Sequence, residues 1–134
     1  MTRSGWHAVT EAVLLAERIE VIERGYEFLL AYAAQGRQDD AGTEAREILD
    51  RMHLALTDMQ GSLWAAFSKL SPTTGVRDFT DAVEQDVLAA RGAIGLVLSR
   101  ARIGSLLVDN LNASVHLRAL LTDLFLIEQA LKVA

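Results

Sequence analysis

The regular spacing of apolar residues is the feature that most constrains the fold of this chain. Four segments carry apolar side chains at intervals of three and four residues, the period of an amphipathic α-helix. They run from about Gly5 to Ala34, Gly42 to Leu70, Val76 to Ile103 and Ser105 to Val133. We find no stretch that we would assign to a strand, so an all-α protein is predicted.

Short breaks separate the four segments. The first, QGRQDDAGT, offers Gly36 as a C-cap and Thr43 as an N-cap, and the second, SPTTG, holds the only proline. At the third, Gly104 and Ser105 leave almost no room for a loop, so a kink in one long helix is the competing interpretation. Loops this short favour antiparallel neighbours, and we predict an up-down-up-down antiparallel four-helix bundle formed as a single domain by residues 1–134.

Composition restricts the possible partners and chemistry. The net charge of -5 argues against nucleic acid as a partner, because such binding depends on clustered basic residues. The absence of cysteine excludes disulfides, thiolate metal sites and cysteine nucleophiles. Glu11 interrupts any apolar region of a secretory signal, and the apolar stretch GAIGLVLS is too short to span a membrane. We therefore expect a cytoplasmic protein with no nucleic-acid or membrane partner.

A second apolar surface is predicted on the outer side of the third helix. Its residues fall within about 100° of one another, opposite the core stripe: Leu88, Gly92, Gly95, Leu96, Ser99 and Ile103. Phe125 extends the apolar surface of the fourth helix, and Trp64 is expected to be a core or interface anchor. Exposed apolar patches often mark interaction surfaces, and a two-fold homodimer would cover one with its own copy. Scattered surface leucines that need no partner are the alternative.

The stretch DNLNASVHLRALLTD raises a different possibility. Counting about 100° per residue turns four polar residues of the predicted fourth helix away from solvent: Asp109, Asn112, His116 and Asp123. On the first helix, Glu11 and Arg18 fall on the apolar side or its edge. If these two helices are antiparallel neighbours, Arg18 lies near Asp123 and His116, and Gly25 leaves room beside the imidazole. An Arg18–Asp123 ion pair would then neutralise a costly buried charge.

We call these inward-facing polar residues of the first and fourth helices the polar seam, and three interpretations of it are open. In the first interpretation, the residues satisfy one another's hydrogen-bonding groups and charges and fix the helix register. In the second, they bind a small ligand or anion through Arg18 and His116. In the third, they hold a metal ion. Di-metal bundles use Glu-x-x-His motifs, which this chain lacks, and the nearest spacings are Asp50 to His53 and His7 to Glu11. We predict no metal and no cofactor.

Two functional hypotheses follow. No nucleophile elbow, phosphate-binding glycine loop or paired-carboxylate motif is visible in the sequence, so we expect no catalytic activity. The first hypothesis is a small cytoplasmic homodimer that binds another protein as adaptor, assembly factor or regulator. The alternative is a ligand-sensing or metal- or anion-binding bundle with its site between the first and fourth helices.

Overall fold

The computed structural model describes the backbone of residues 3–133 and the side chains of residues 13–133. The prediction of an all-α chain is confirmed over this range, which holds helices and no strand. The helices are α1 (Arg3–Ala33), α2 (Ala45–Phe67), α3 (Thr74–Leu98), α4 (Ser105–Ala113) and α5 (His116–Lys132). Residues 3–133 contain five helices rather than the four predicted, because the last predicted helix is divided in two. None of the helices in the described range has the length and apolar character needed to cross a membrane.

The helices pack around one continuous apolar core. Helix α2 lies against α1 and α3, while α4 packs mainly on α1 and α5 mainly on α3. The buried apolar stripe of α2 consists of Leu49, Met52, Leu56, Met59 and Leu63, and that of α3 consists of Val83, Val87, Ala90, Ile94 and Val97. Burying each large apolar side chain contributes about 1.5–3 kcal/mol, so these two stripes supply much of the driving force for folding.

Local capping explains where two of the helices begin. The Thr73 hydroxyl accepts a hydrogen bond from the Val76 N–H at 3.2 Å and caps α3, directly after Pro72. Near the start of α2, the Thr43 hydroxyl accepts from the Ala45 N–H at 3.2 Å. After α1, Gly36 takes a left-handed conformation with φ 67°, as a glycine that follows a helix end commonly does.

The third break is a true loop, residues 99–104, and it is tied to the loop between α1 and α2. The Asp40 carboxylate accepts hydrogen bonds from the Ile103 N–H at 2.9 Å and from Arg46 Nε at 3.1 Å. The Arg46 guanidinium also donates to the carbonyls of Leu98 at 3.0 Å and Arg100 at 2.9 Å. These bonds satisfy carbonyl groups that the end of α3 leaves without helical partners.

Tyr32 and Ser105 complete this junction inside the core. The Tyr32 hydroxyl donates to the Ile103 carbonyl at 2.5 Å, and the Ser105 hydroxyl donates to the Tyr32 carbonyl at 2.8 Å. Both side chains are buried. At Gly104, an added methyl would lie 3.0 Å from the Arg37 carbonyl oxygen, so the two loops approach too closely for a larger residue. The predicted near-continuous junction at Gly104 and Ser105 is therefore wrong.

The break between α4 and α5 falls at Ser114 and Val115. Val115 has φ 59°, a left-handed conformation that costs a β-branched residue about 1–2 kcal/mol. The apolar pattern explains why the helix does not continue. Counted along one unbroken helix, the buried residues of α4 and those of α5 are centred about 150° apart. The break turns both stripes toward the core.

Candidate functional site

The predicted polar seam is not assembled in the structure. Its angular argument assumed one unbroken helix, and the break at Val115 separates Asp109 and Asn112 from His116 and Asp123. His116 is exposed at the first residue of α5, and Asp109 is exposed on α4. The prediction that these two side chains point inward is therefore wrong. Asn112 and Asp123 are half-buried, and they face different helices.

The first-helix members of the seam are placed elsewhere as well. The Arg18 guanidinium donates to the hydroxyl of Ser62, a buried residue of α2. No ion pair joins Arg18 to Asp123 among the side chains described for residues 13–133. Gly25 faces α2, because a methyl added there would overlap the Met52 thioether. The predicted role of Glu11 lies outside the side chains that the structure describes.

Asn112 connects α4 to α1. Its Nδ2 donates to the Leu29 carbonyl at 3.1 Å, while its Oδ1 is buried and has no hydrogen-bond partner among the described residues. A half-buried amide that bonds a carbonyl near the end of α1 fixes the position of α4 along that helix. Asn112 thus fits the structural interpretation of the seam better than a role in ligand binding.

Asp123 faces α3, where it meets Asp86. Burial raises the pKa of Asp123 to about 7, and the hydrogen bond and negative charge of Asp86 add to the increase. The Oδ2 atom of Asp123 is buried and finds no donor among the described protein groups. A proton held between the two carboxyl groups satisfies this geometry, because two adjacent carboxylates cannot both ionise cheaply. With its pKa raised to about 7, Asp123 is the member of the pair that holds this proton in weakly acidic solution.

Asp123 is predicted from the sequence as a site residue, but Asp86 is not. The two carboxyl groups come from helices far apart in the sequence, so no local motif could show the pair. The available signal was the position of Asp86 beside the α3 core stripe, next to Val87 and three residues after Val83. Within residues 13–133, no group of three His, Asp or Glu side chains is placed to hold a metal ion. The pair can therefore hold a proton, but among the described side chains no third carboxylate or imidazole is placed to complete a metal site with it.

The predicted apolar surface of α3 is present in part. Leu88 is 39% exposed, Leu96 is 65% exposed, and Gly92 and Ser99 are also exposed. Gly95 differs, because it lies beside the His53 imidazole of α2. The prediction that Ile103 belongs to this surface is wrong. Ile103 lies in the loop after α3 and is fully buried at the loop junction.

Phe125, predicted to extend the apolar surface of the last helix, lies on α5. It is 43% exposed, but it stands two residues, or about 200° of helical rotation, from Asp123, which faces α3. Trp64 is the larger apolar group beside α3. It is 73% exposed and borders a hollow whose α3 wall includes Val76 and Thr80. We call Leu88, Gly92, Leu96 and Ser99 the α3 strip.

Comparison with known proteins adds no assignment. No protein-family model, no curated protein and no solved structure matches this chain. The argument for function therefore rests on the residues and their geometry.

Proposed function

We propose that this chain is a small cytoplasmic interaction protein that forms a homodimer through the α3 strip. The supporting observation is the exposure of Leu96 and, beside α3, of Trp64, at 65% and 73%. The proposal includes an up-down-up-down order in which α4 and α5 share the fourth position. Contacts of Arg18 with Ser62 and of Gly25 with Met52 support it, because later residues of α1 meet earlier residues of α2.

The composition of the strip favours a second copy of the same helix as its partner. Leu88, Gly92 and Leu96 follow one another at four-residue intervals, which places them on one side of α3. Apart from its chain neighbours and the nearby backbone of α3 itself, no described atom lies within 4 Å of the position that a Gly92 Cβ would occupy. Two such helices can approach closely at the glycines, with the leucines of each copy packing beside the glycine of the other.

Charge supports the same arrangement. From Leu88 to Ser99 the only charged residue is Arg91, which is half-buried. A two-fold contact brings each residue near its own copy or its neighbours' copies, so a strip without charged groups avoids repulsion between like charges. An adaptor, assembly factor or regulator must also bind another protein. We infer that this second protein binds to surfaces that remain exposed in the homodimer.

The alternative function, a ligand or anion site made by Arg18, His116 and Asp123, lacks support from the geometry. Arg18 contacts α2, Asp123 faces α3 and His116 is exposed. Three side chains in different surroundings cannot converge on one small ligand.

A matched pair of variants tests the dimer. Leu96→Glu places a charge in the strip, whereas Leu106→Glu makes the same change at a leucine of α4 that is 73% exposed. Sedimentation velocity should show a dimer for the parent protein and for Leu106→Glu, and a monomer for Leu96→Glu. Circular dichroism should show unchanged helix content in all three. A parent protein that is monomeric at tens of micromolar, or a Leu96→Glu variant that remains dimeric, would reject the strip as the interface.

A further inference from the structure

A cavity of about 160 Å³ lies between α1, α2 and α5, apart from the seam and from the α3 strip. Its walls include Leu15, Ile19 and Ala66, which are all buried, together with Leu131. An apolar protein cavity of about 150 Å³ is known to be large enough to bind benzene. The size and the walls therefore suit one aromatic ring or a short branched hydrocarbon group.

The mouth of this cavity has a distinct charge pattern. The chain contains only two lysines, Lys69 and Lys132, and both border this cavity. They come from different elements, since Lys69 follows the end of α2 and Lys132 ends α5. Both are exposed, and neither forms an ion pair with a side chain in the described range. The other eleven basic residues of the chain are arginines, and none of those with a described side chain lines the cavity.

Two further groups define the polarity of the site. Ser62 borders the cavity and accepts a hydrogen bond from Arg18, so its own hydroxyl proton remains to donate to a ligand. Among the side chains that the structure describes, Glu128 is the one carboxylate that borders the cavity, against the two ammonium groups of Lys69 and Lys132. An excess of one positive charge above apolar walls complements a small apolar molecule with a single negative charge.

We propose that this cavity binds a small aromatic or branched aliphatic monocarboxylate, of about the size of benzoate. The hydrocarbon group lies against Leu15, Ile19 and Ala66, and the carboxylate lies between the ammonium groups of Lys69 and Lys132. Two lysines suit this role, because each presents a compact charge on a flexible stem that can reach one ligand oxygen.

The presence of only two lysines makes a direct test possible. Reductive methylation with ¹³C-formaldehyde labels both lysine amines and the terminal α-amine, and it preserves their positive charge. Titration of the labelled protein with sodium benzoate should shift both lysine signals along one saturable curve. Benzyl alcohol, a neutral probe of similar size, should require at least a tenfold higher concentration. Equal saturation by benzyl alcohol would overturn the role of the lysines.

Variants separate the two parts of the proposal. Lys69→Gln and Lys132→Gln change exposed side chains and should each weaken benzoate binding at least threefold, whereas Arg24→Gln on the outer side of α1 should leave it unchanged. Ala66→Phe fills the cavity and should abolish binding. The lysine variants keep the test decisive if Ala66→Phe does not fold. Lysine signals that move linearly with benzoate would show that the cavity is not a binding site.

Discussion

Replacing Asp123 by Asn tests whether a buried carboxyl pair controls the pH dependence of stability. The pKa of Asp123 is raised from 3.8 to about 7. Between these two pH values, the folded chain therefore holds a proton that the unfolded chain has released. A pKa that folding raises makes the free energy of unfolding fall as the pH rises from about 4 to about 7. Asn cannot ionise, and its amide can donate a hydrogen bond to Asp86.

The structure sets the size of this effect. The difference between 3.8 and about 7 corresponds to a change of at most about 4 kcal/mol in the free energy of unfolding, because each pKa unit is equivalent to about 1.4 kcal/mol. Asp123 is half-buried rather than fully buried, and solvent screening reduces the expected effect to about 1–2 kcal/mol. Relative to the parent protein, Asp123→Asn should therefore gain about 1–2 kcal/mol of stability between pH 4.5 and pH 8.

Urea unfolding followed by circular dichroism across this pH range provides the measurement. Asp86→Asn removes the negative charge of the partner but not the burial of Asp123, so it should give a smaller gain of the same sign. Asp81→Asn, at an exposed carboxylate of α3, is the control and should run parallel to the parent protein. If the difference between parent and Asp123→Asn is the same at pH 4.5 and pH 8, the shared proton is refuted.

Two further predictions concern the loop junction and the helix break. Tyr32→Phe leaves the buried Ile103 carbonyl without its hydroxyl donor, and urea unfolding should show a loss of about 1–3 kcal/mol. A loss below about 0.5 kcal/mol would mean that the carbonyl finds another donor. Val115→Gly relieves the left-handed strain at φ 59° and should raise the stability by about 0.5–1 kcal/mol, after the greater entropy of unfolded glycine is counted. A lower melting temperature for Val115→Gly would show that side-chain contacts of Val115 outweigh its strain.

Periodicity predicted the central helices well, because their core sides are set by local sequence. In α2 and α3 the apolar residues recur every three or four positions over many turns, and the same residues are buried in the structure. The loop at residues 99–104 was missed because Ala101 and Ile103 continue the apolar pattern of α3. What ends the helix is a set of bonds from Asp40 and Arg46, which lie more than 50 residues earlier in the chain.

The break at Val115 was missed for a different reason. The stretch NASVHL holds neither glycine nor proline, the residues that usually mark the end of a helix. The signal lay instead in the phase of the apolar stripe, which shifts by about 150° between Leu111 and Leu117. Every angle counted across that point carried the same error. Because of this error, His116 was predicted to face the interior near Arg18, whereas it is exposed in the structure.

Placement of the carboxyl pair required knowledge of helix neighbours. Asp123 was expected to face α1, but the break lets α4 pack mainly on α1 while α5 packs mainly on α3. Asp123 consequently meets Asp86 rather than Arg18, and a predicted ion pair becomes a pair of like charges. The same residue therefore changes from a predicted stabilising contact to a group that costs stability above neutral pH.

The proposed interface, the carboxyl pair and the cavity have no residue in common, and this allows their tests to be interpreted separately. Energetic effects of changes at sites that share no partners are usually additive. A Leu96→Glu monomer that still binds benzoate would show that the cavity does not depend on the dimer. Loss of both properties would instead show that the bundle changes as a unit, since α3 contacts α5 and α5 supplies Lys132. Asp86 and Asp123 lie in that α3–α5 contact, so a dependence of benzoate binding on pH near 7 that disappears in Asp123→Asn would identify the carboxyl pair as the link.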